Sequence, residues 1–405
     1  MLSKVFLTAA LVIMTGCSSR PANVPATVQR LYPKQTEFTP SNMGFNTWGY
    51  VDAKGKWVIP PQFDSASRFF EGISVVSRSA QFWLFSSRPK WGYLRPSGEY
   101  LVEPHLEDAR PFHDGLAPIE IGRQWGFIDP TGKIVIAPQF AQVHEFDEGV
   151  CPAQKGPDKL TMWGYLAKDG RWAIEPRFDG ARKFSEGYAG VWVGAKPKNS
   201  GIVMVKAGGA WGYIDHAGKL LFEPRFQQVH EFSEGAAAVL EIGSHLSGYV
   251  DRTGAYLVKP QFGFALPFKD GWARVQIPGE KGRRPYWGYI DKQGQFVIPP
   301  TYSDLGQFQD GIAYACIYGK SCGYIDKSNR FAIEPQFAGA SEFSEGRAAV
   351  RITPPRGNGL GYIDRTGRIV IEPQWSEAEA FYNGLARVRR GDRYFYIDRD
   401  GRTLQ

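Results

Sequence analysis

Residues 211–226 read Trp-Gly-Tyr-Ile-Asp-His-Ala-Gly-Lys-Leu-Leu-Phe-Glu-Pro-Arg-Phe, and the same string returns throughout the chain. It begins again, with the Trp-Gly pair intact, at five other tryptophans: Trp48, Trp91, Trp125, Trp163 and Trp287. Three further copies keep the glycine without the Trp, at Gly248, Gly323 and Gly361, and a shortened copy ends at Gly401. Successive motif glycines are 34 to 48 residues apart. A fixed period of this length indicates a repeat architecture.

One copy of the string already predicts its local structure. Trp211, Tyr213 and Asp215 alternate with Gly212 and Ile214, which is the period of a β-strand. Asp-x-x-Gly favours a turn that the Asp side chain caps and the Gly closes with positive φ, so this strand and the next form a hairpin. The Pro of the Pro-x-Phe that follows should end the second strand, because it donates no ladder hydrogen bond.

A second half of the repeat follows each Pro-x-Phe. Phe-Ser-Glu-Gly, as at residues 184–187, predicts a tight turn with the Phe inward and the Gly at positive φ. An apolar alternation such as Ala273-Arg274-Val275 then runs into a variable loop before the next motif. Each unit is therefore about three short strands that bury their aromatic side chains only by stacking on neighbours, which makes one cooperative body.

This arrangement resembles the bacterial WG-repeat (KWG-type) family, and the resemblance runs from Trp48 to Gly401. We expect an all-β fold, a tandem array of about ten three-stranded β-hairpin repeats. An open or curved, solenoid-like array is favoured, because the last copy has no third strand to share with the first. A propeller-like ring is the alternative.

Composition agrees with a β-rich chain and narrows the class of partner. The 405 residues include 47 Gly and 28 Pro, 14% are aromatic, and the net charge is only +7. A dedicated nucleic-acid binder is usually more basic, so we expect no nucleic acid as partner.

The N-terminal sequence predicts export to the cell envelope. Residues 1–16 combine Lys4 with a ten-residue apolar run, too short to cross a bilayer but typical of a signal peptide. Met14-Thr15-Gly16-Cys17 resembles a bacterial lipoprotein signal, although Leu is usual at the place of Met14. The resemblance implies acylation of Cys17 and, with Ser18 next, an outer-membrane location facing the periplasm or the surface; a plain secretory signal is the alternative. Residues 17–46 are then the lipidated Cys and a polar tether, and residues 47–405 the array.

A catalytic group should occur once, so a residue that recurs at the same position of successive repeats is more typical of the scaffold. The turn aspartates share one position, as do Glu148, Glu186, Glu234 and Glu345, so both sets favour turn capping. His144 and His230 also share a phase. No hydrolase, phosphate-loop, dinucleotide or metal-type spacing is present. We therefore expect no enzyme activity, no cofactor and no metal; a carboxylate-pair enzyme acting on glycans in a central cleft is the alternative.

Two further features lie outside the strict repeat. Cys316 and Cys322 flank a predicted hairpin loop, where they form either a disulfide or two free thiols, and Cys151 has no partner in phase. Trp83 lies in an apolar insertion that either packs on the array or forms an exposed docking patch.

The connections into each Trp-Gly strand carry an excess of positive charge. In these segments Lys and Arg outnumber Asp and Glu by 17 to 5. The candidate binding residues are the densest cations, Lys281, Arg283, Arg284, Arg389, Arg390 and Arg393, with Lys196, Lys198 and the apolar Trp83. The charge either solubilises the loops or forms an electropositive edge for an anionic partner.

The sequence thus predicts a non-catalytic envelope lipoprotein that acts as a binding scaffold. Its basic loop edge would face an anionic envelope component or an acidic protein, and it would meet the membrane through its lipid only. A surface adhesin or antigen is a further alternative.

Overall fold

The chain folds into short β-strands. The computed structural model describes residues 31–35, 47–79, 81–82, 85–86, 88–156, 161–199, 204–279, 284–352, 359–391 and 393–404, and this part contains no helix. The strands are, in chain order, β1 Tyr32–Gln35, β2 Trp48–Val51, β3 Trp57–Phe63, β4 Ser65–Ala66, β5 Ser74–Arg78, β6 Gln81–Phe82, β7 Phe85–Ser86, β8 Lys90–Leu94, β9 Tyr100–Leu106, β10 Asp108–Ala109, β11 Ala117–Ile121, β12 Gln124–Ile128, β13 Ile134–Val143, β14 Val150–Lys155, β15 Trp163–Ala167, β16 Trp172–Phe178, β17 Gly180–Ser185, β18 Tyr188–Asn199, β19 Met204–Asp215, β20 Phe226–Val229, β21 Ala237–Glu241, β22 Ser247–Val250, β23 Tyr256–Phe262, β24 Phe264–Ala265, β25 Ala273–Ile277, β26 Tyr286–Ile290, β27 Phe296–Tyr302, β28 Asp304–Leu305, β29 Ile312–Cys316, β30 Cys322–Asp326, β31 Phe331–Phe337, β32 Gly339–Ala340, β33 Ala348–Ile352, β34 Gly359–Ile363, β35 Ile369–Trp375, β36 Glu377–Ala378, β37 Leu385–Arg390 and β38 Arg393–Asp398.

Consecutive strands pair antiparallel into small sheets, which we call blades and number in chain order. The blades are β1–β3 (blade 1), β4, β5, β8 and β9 (2), β10–β12 with residues 134–140 of β13 (3), residues 141–143 of β13 with β14–β16 (4), β17–β19 (5), β20–β23 (6), β24–β27 (7), β28–β31 (8), β32–β35 (9) and β36–β38 (10). The continuous β13 joins blades 3 and 4, and the pairing of β19 with β20 joins blades 5 and 6. The all-β repeat array expected from the sequence is confirmed.

In the part of the chain that the structure describes, seven of the ten blades have four strands, one more than the predicted unit, and a blade begins at a different point of the repeat. In blade 7 the two-residue β24 pairs with β25, which pairs with β26 and then β27. The Trp-Gly hairpin is thus the third and fourth strands, and the first two come from the preceding repeat. One sequence repeat therefore spans two blades, because its strands bond to different sheets.

The prediction that Pro ends the second strand of the hairpin was wrong. Where a blade has a fourth strand, that strand runs through the Pro to the residue two positions later; Pro224, in the repeat of blade 5, lies outside a strand. An example is β31, which contains Pro335 and ends at Phe337. The register shifts at this point, so that four residues of β31 match two of β30. A bulge at the sheet edge accommodates a residue that cannot donate a ladder bond.

Each motif Tyr joins its blade to the next one. Its hydroxyl donates to a backbone carbonyl 17 residues later, at 2.6 to 3.0 Å, in the pairs Tyr50–Ser67, Tyr93–Arg110, Tyr165–Arg182, Tyr213–His230, Tyr249–Leu266, Tyr289–Gly306, Tyr324–Ser341 and Tyr362–Glu379. Blade 3 has Phe127 instead, and there the carbonyl of His144 accepts from the Sγ of Cys151 at 3.1 Å. Cys151 is a buried free thiol with a structural role.

We expect Tyr249→Phe to lower the stability of the ring by about 1 kcal/mol, because it leaves the carbonyl of Leu266 without this donor. Burial raises the pKa of Tyr249, so the hydroxyl remains a donor over the whole practical pH range. The measurement is the urea midpoint followed by tryptophan fluorescence. Tyr382→Phe, at a tyrosine that is 50% exposed, should leave the midpoint unchanged; an equal effect of the two variants would contradict the role of the hydroxyl.

The Glu-Gly turns between first and second strands form a second set of links. Glu186 and Gly187 both have positive φ (54° and 84°), which is the geometry of a type I′ turn. The Glu186 carboxylate accepts from the backbone N–H groups of Glu234 and Gly235 in the next blade. Glu71, Glu148, Glu234 and Glu345 bond to the following turn in the same way. The predicted capping by these glutamates thus acts across blades.

The array curves until its two ends touch. The Tyr32 hydroxyl of blade 1 donates to the carbonyl of Asn383 in blade 10 at 2.6 Å, and the Tyr32 and Tyr396 rings lie 5.8 Å apart. Arg68 of blade 2 lies over the Tyr382 ring and 3.6 Å from Glu379. The propeller-like ring is therefore the arrangement seen, rather than the open array that we favoured. Closure comes from packed side chains and needs no shared blade.

Candidate functional site

The second strand of each blade ends, and the third begins, on one side of the ring, because the strands of every blade alternate in direction. We call this side the loop face; its described strand ends border residues 79–89, 122–123, 156–162, 200–203, 242–246, 278–285, 317–321, 353–358 and 391–392. The Asp-x-x-Gly and Glu-Gly turns lie on the opposite side, the turn face. The described strand ends that flank the basic segments of the sequence therefore lie on one face.

Three predicted binding cations are exposed on the loop face. They are Lys196 near the end of β18, Arg284 and Arg393. The guanidinium of Arg284 lies 5.2 Å from the centre of the Tyr318 ring. Cys17, Trp83, Lys281 and Arg283 lie outside the described residues, and of Lys198 only the backbone, in β18, is described.

The other two cations are engaged within blade 10 and its neighbour. Nη1 of Arg389 lies 2.6 Å from Oε1 of Glu377, so its charge is partly neutralised. Arg390 is exposed, donates to the Gln374 side chain and lies 4.5 Å from the Trp375 ring. Arg389 is thus the weakest of the predicted binding residues.

Below the loops, a cleft of about 620 Å³ opens between blades 3 and 4. Blade 3 contributes Arg110, Arg123 and Trp125 to its wall, and blade 4 contributes His144 and Trp163. Arg110 stacks on Trp125 at 4.3 Å and donates through Nη1 to the carbonyl of Val143 at 2.7 Å.

Pairs of a basic side chain and the motif aromatic residue recur around the ring, from two positions of the repeat. Before the turn Phe they are Arg110–Trp125, His144–Trp163 and Arg182–Trp211, and from the second strand they are Arg274–Trp287 and Arg387–Tyr394. These pairs were not predicted from the sequence. The signal for the first three was the position two residues before the Phe of the Glu-Gly or Asp-Gly turn, where Arg110, His144, Arg182 and His230 follow one another in successive repeats.

Three of these arginines have no carboxylate partner in the described part of the chain. Arg110, Arg182 and Arg274 each lie over a ring face, Arg110 and Arg274 also donate to backbone carbonyls, and the Nε atoms of Arg182 and Arg274 are buried without a hydrogen-bond acceptor. Other described arginines are ion-paired, as Arg252 is with Glu186 and Arg365 with Asp310. Half-buried cations without counter-ions attract anions.

The turn aspartates cap their own turns. Oδ1 of Asp129 accepts from the N–H groups of Thr131 and Lys133, and the Asp364 turn repeats this pattern. The Thr131 hydroxyl, followed by backbone donors, lowers the pKa of Asp129, and Thr366 does the same for Asp364. Carboxylates held ionised in this way suit turn capping and not proton donation.

Cys316 and Cys322 are directly opposite in the pairing of β29 with β30, and their sulfurs are joined at 2.06 Å. Within the described ranges, no group of three His, Cys, Asp or Glu side chains converges on a point where a metal would fit. The same residues include no helix with the length and apolar character needed to span a bilayer.

The comparisons with known proteins bear on the family and the fold. The family profile described as "WG containing repeat" matches nine times, at residues 48–78, 91–123, 125–156, 163–196, 211–241, 248–281, 287–320, 323–353 and 361–394. No curated protein sequence matches the chain.

Similar solved structures are distant in sequence. A crystal structure titled "the eukaryotic initiation factor" is 12% identical with a TM-score of 0.53, over 91% of this chain and 98% of that one. The computationally designed protein Ika8 is 12% identical with a TM-score of 0.38, over 74% and 96%. BamB from Moraxella catarrhalis is 10% identical with a TM-score of 0.35, over 74% and 87%. The first of these shows a related fold and nothing more.

Proposed function

Because the chain belongs to the WG-repeat family, we propose that it is a non-catalytic binding scaffold of the cell envelope. It forms a ring of small sheets, and its variable connections follow the strand ends of the loop face. Its loop face meets an anionic envelope component or an acidic protein. The N-terminal signal directs it to the envelope and the acylated Cys17 holds it at the outer membrane. The predicted tether of residues 17–46 includes Tyr32–Gln35, which instead pair with β2 as part of blade 1.

The observation that carries this proposal is the segregation of charge between the two faces. The connections into the Trp-Gly strands, counted together with the strand ends that flank them, hold 17 Lys and Arg against 5 Asp and Glu, while the remainder of the chain is net acidic. On the turn face, the glutamates are matched by backbone donors and by cations such as Arg399, which lies 2.6 Å from Glu345. A surface with unbalanced positive charge favours encounter with anions.

The first test measures co-sedimentation of the chain from Ser18 onward, which keeps every described residue. The anionic partners are cell-wall sacculi and phosphatidylglycerol vesicles, each at low and moderate salt. A loop-face variant carries Ser in place of the five cations Lys281, Arg283, Arg284, Arg390 and Arg393. We expect the parent chain to bind in a salt-sensitive manner and the variant to bind about tenfold more weakly.

A matched control removes the same number of charges from the turn face. It carries Ser in place of the exposed lysines Lys54, Lys56, Lys133, Lys219 and Lys327. This control has the same net charge as the loop-face variant and should bind like the parent chain. Equal losses in both variants would mean that net charge alone acts, and absence of binding to both partners would remove the anionic component from the proposal.

A further inference from the structure

We propose that the cleft between blades 3 and 4 is a subsite for a sugar that carries a carboxylate or phosphate group. The inference rests on the proposed function and names the chemistry of its ligand. The cleft has the volume of a small-molecule site and combines aromatic walls with a few placed polar groups.

The positive groups of the cleft are set for an anion. Arg110 is held flat on Trp125 and anchored by one bond to the carbonyl of Val143, so its fork is fixed in place. A guanidinium positioned in this way binds a carboxylate or phosphate with less loss of freedom than a mobile side chain. Arg123, exposed at the rim, lies on the same cleft and adds a second cation.

His144 adds a neutral hydrogen-bonding group to the same cleft. Surrounding protein lowers the pKa of His144, and the charges of Arg110 and Arg182 lower it further, against a smaller opposing effect of Glu145. The imidazole is therefore neutral at pH 7 and offers hydrogen bonds without adding to the repulsion between the arginines.

The remaining groups favour a sugar over an acidic peptide. Trp163 is half-buried, with the His144 ring centre 5.4 Å away, and its indole supplies an apolar surface beside the cations. Glu120 also lines the cleft, and its carboxylate repels a run of acidic side chains but accepts from hydroxyl groups. A sugar ring with several hydroxyls and one acidic group would contact the arginines, the indole and the Glu120 carboxylate together.

The test is calorimetric titration with tri-galacturonic acid, its methyl-esterified form and a hexaglutamate peptide. We expect binding of the free acid only, because esterification removes the charge and leaves the sugar rings unchanged. Tighter binding of the peptide would overturn the assignment to a sugar, and equal binding of the acid and the ester would overturn the role of the arginines. Analogues of the trimer in which phosphate replaces carboxylate show which of the two anions the cleft binds more tightly.

Variants locate the site. Arg110→Gln should weaken binding of the free acid by about tenfold. Arg274→Gln is the matched control, since Arg274 also stacks on its motif Trp and donates to the next blade, at Leu305, but lies outside the cleft. Arg123→Asn, which tolerates the positive φ of 61°, should weaken binding by about threefold without touching the packed core. Equal losses for Arg110→Gln and Arg274→Gln, or none for Arg123→Asn, would overturn the subsite.

The outcome separates the subsite from the wider proposal. Binding of sacculi without binding of the acidic trimer overturns the subsite and keeps the scaffold. If the loop-face variant still binds the trimer, the result supports the subsite independently of the loop charges.

Discussion

Replacing Gly126 by Ala should destabilise the ring by about 3 kcal/mol, a large effect for the addition of one methyl group. Trp125 pairs with Phe140 and Phe127 with Ile136, so Ala137, Pro138 and Gln139 bulge opposite Gly126. A Cβ at Gly126 would lie 2.5 Å from the carbonyl oxygen of Ile136 and 2.6 Å from the nitrogen of Pro138. These are backbone atoms, which cannot turn aside as a side chain does.

Gly339→Ala is the control for this prediction. Gly339 also lies in a strand, has no positive φ, and its added Cβ would meet only the Cβ of Arg351 at 3.5 Å, an ordinary contact. Urea denaturation should show a much lower midpoint for Gly126→Ala and almost none of this loss for Gly339→Ala. Similar midpoints for the two variants would show that the bulge can move away from the motif glycine.

The same contact shows where sequence reasoning reaches its limit. Strand alternation, the Asp-x-x-Gly turn and the Glu-Gly turn are local, and they predicted the hairpins and the repeat array. The pairing of the motif Gly with the Pro bulge depends on two strands lying in one sheet. Alternation assigned Gly126 to a strand face, but only the register shows that the bulge leaves no room for a Cβ.

Contacts between blades were the larger omission. Each motif Tyr reads locally as a core residue, and nothing within one repeat indicates that its hydroxyl reaches a carbonyl 17 residues later. The regular spacing of Arg110, His144 and Arg182 before a Phe was visible, yet its meaning depends on the Trp of the same blade. The basic connections of the candidate site thus stay a prediction from the sequence, and the cleft becomes visible only from the packing.

Tyr32→Ala should open the ring at the junction of blades 1 and 10. Tyr32 is 6% exposed, packs against Tyr396 and donates to the carbonyl of Asn383, so truncation removes both the packing and the hydrogen bond. Loss of a buried aromatic side chain costs about 3 kcal/mol or more. We expect this loss at the junction, since β1 and β38 belong to different sheets.

Hydrogen–deuterium exchange resolved along the chain checks this expectation. Exchange in Tyr32→Ala should rise in β37 and β38 by about a hundredfold, the rate change that 3 kcal/mol of local opening implies, and stay unchanged in blades 5 and 6. Tyr32→Phe keeps the ring packing and loses only the bond to Asn383, so its increase should be about fivefold. Uniform exchange across all blades in Tyr32→Ala would show instead that the ring opens as one unit. An increase in exchange rate confined to blade 10 and to the region of Arg68 would show that closure of the ring stabilises its two ends. The inner blades would then be held together by the tyrosine and glutamate hydrogen bonds that link each blade to its neighbour.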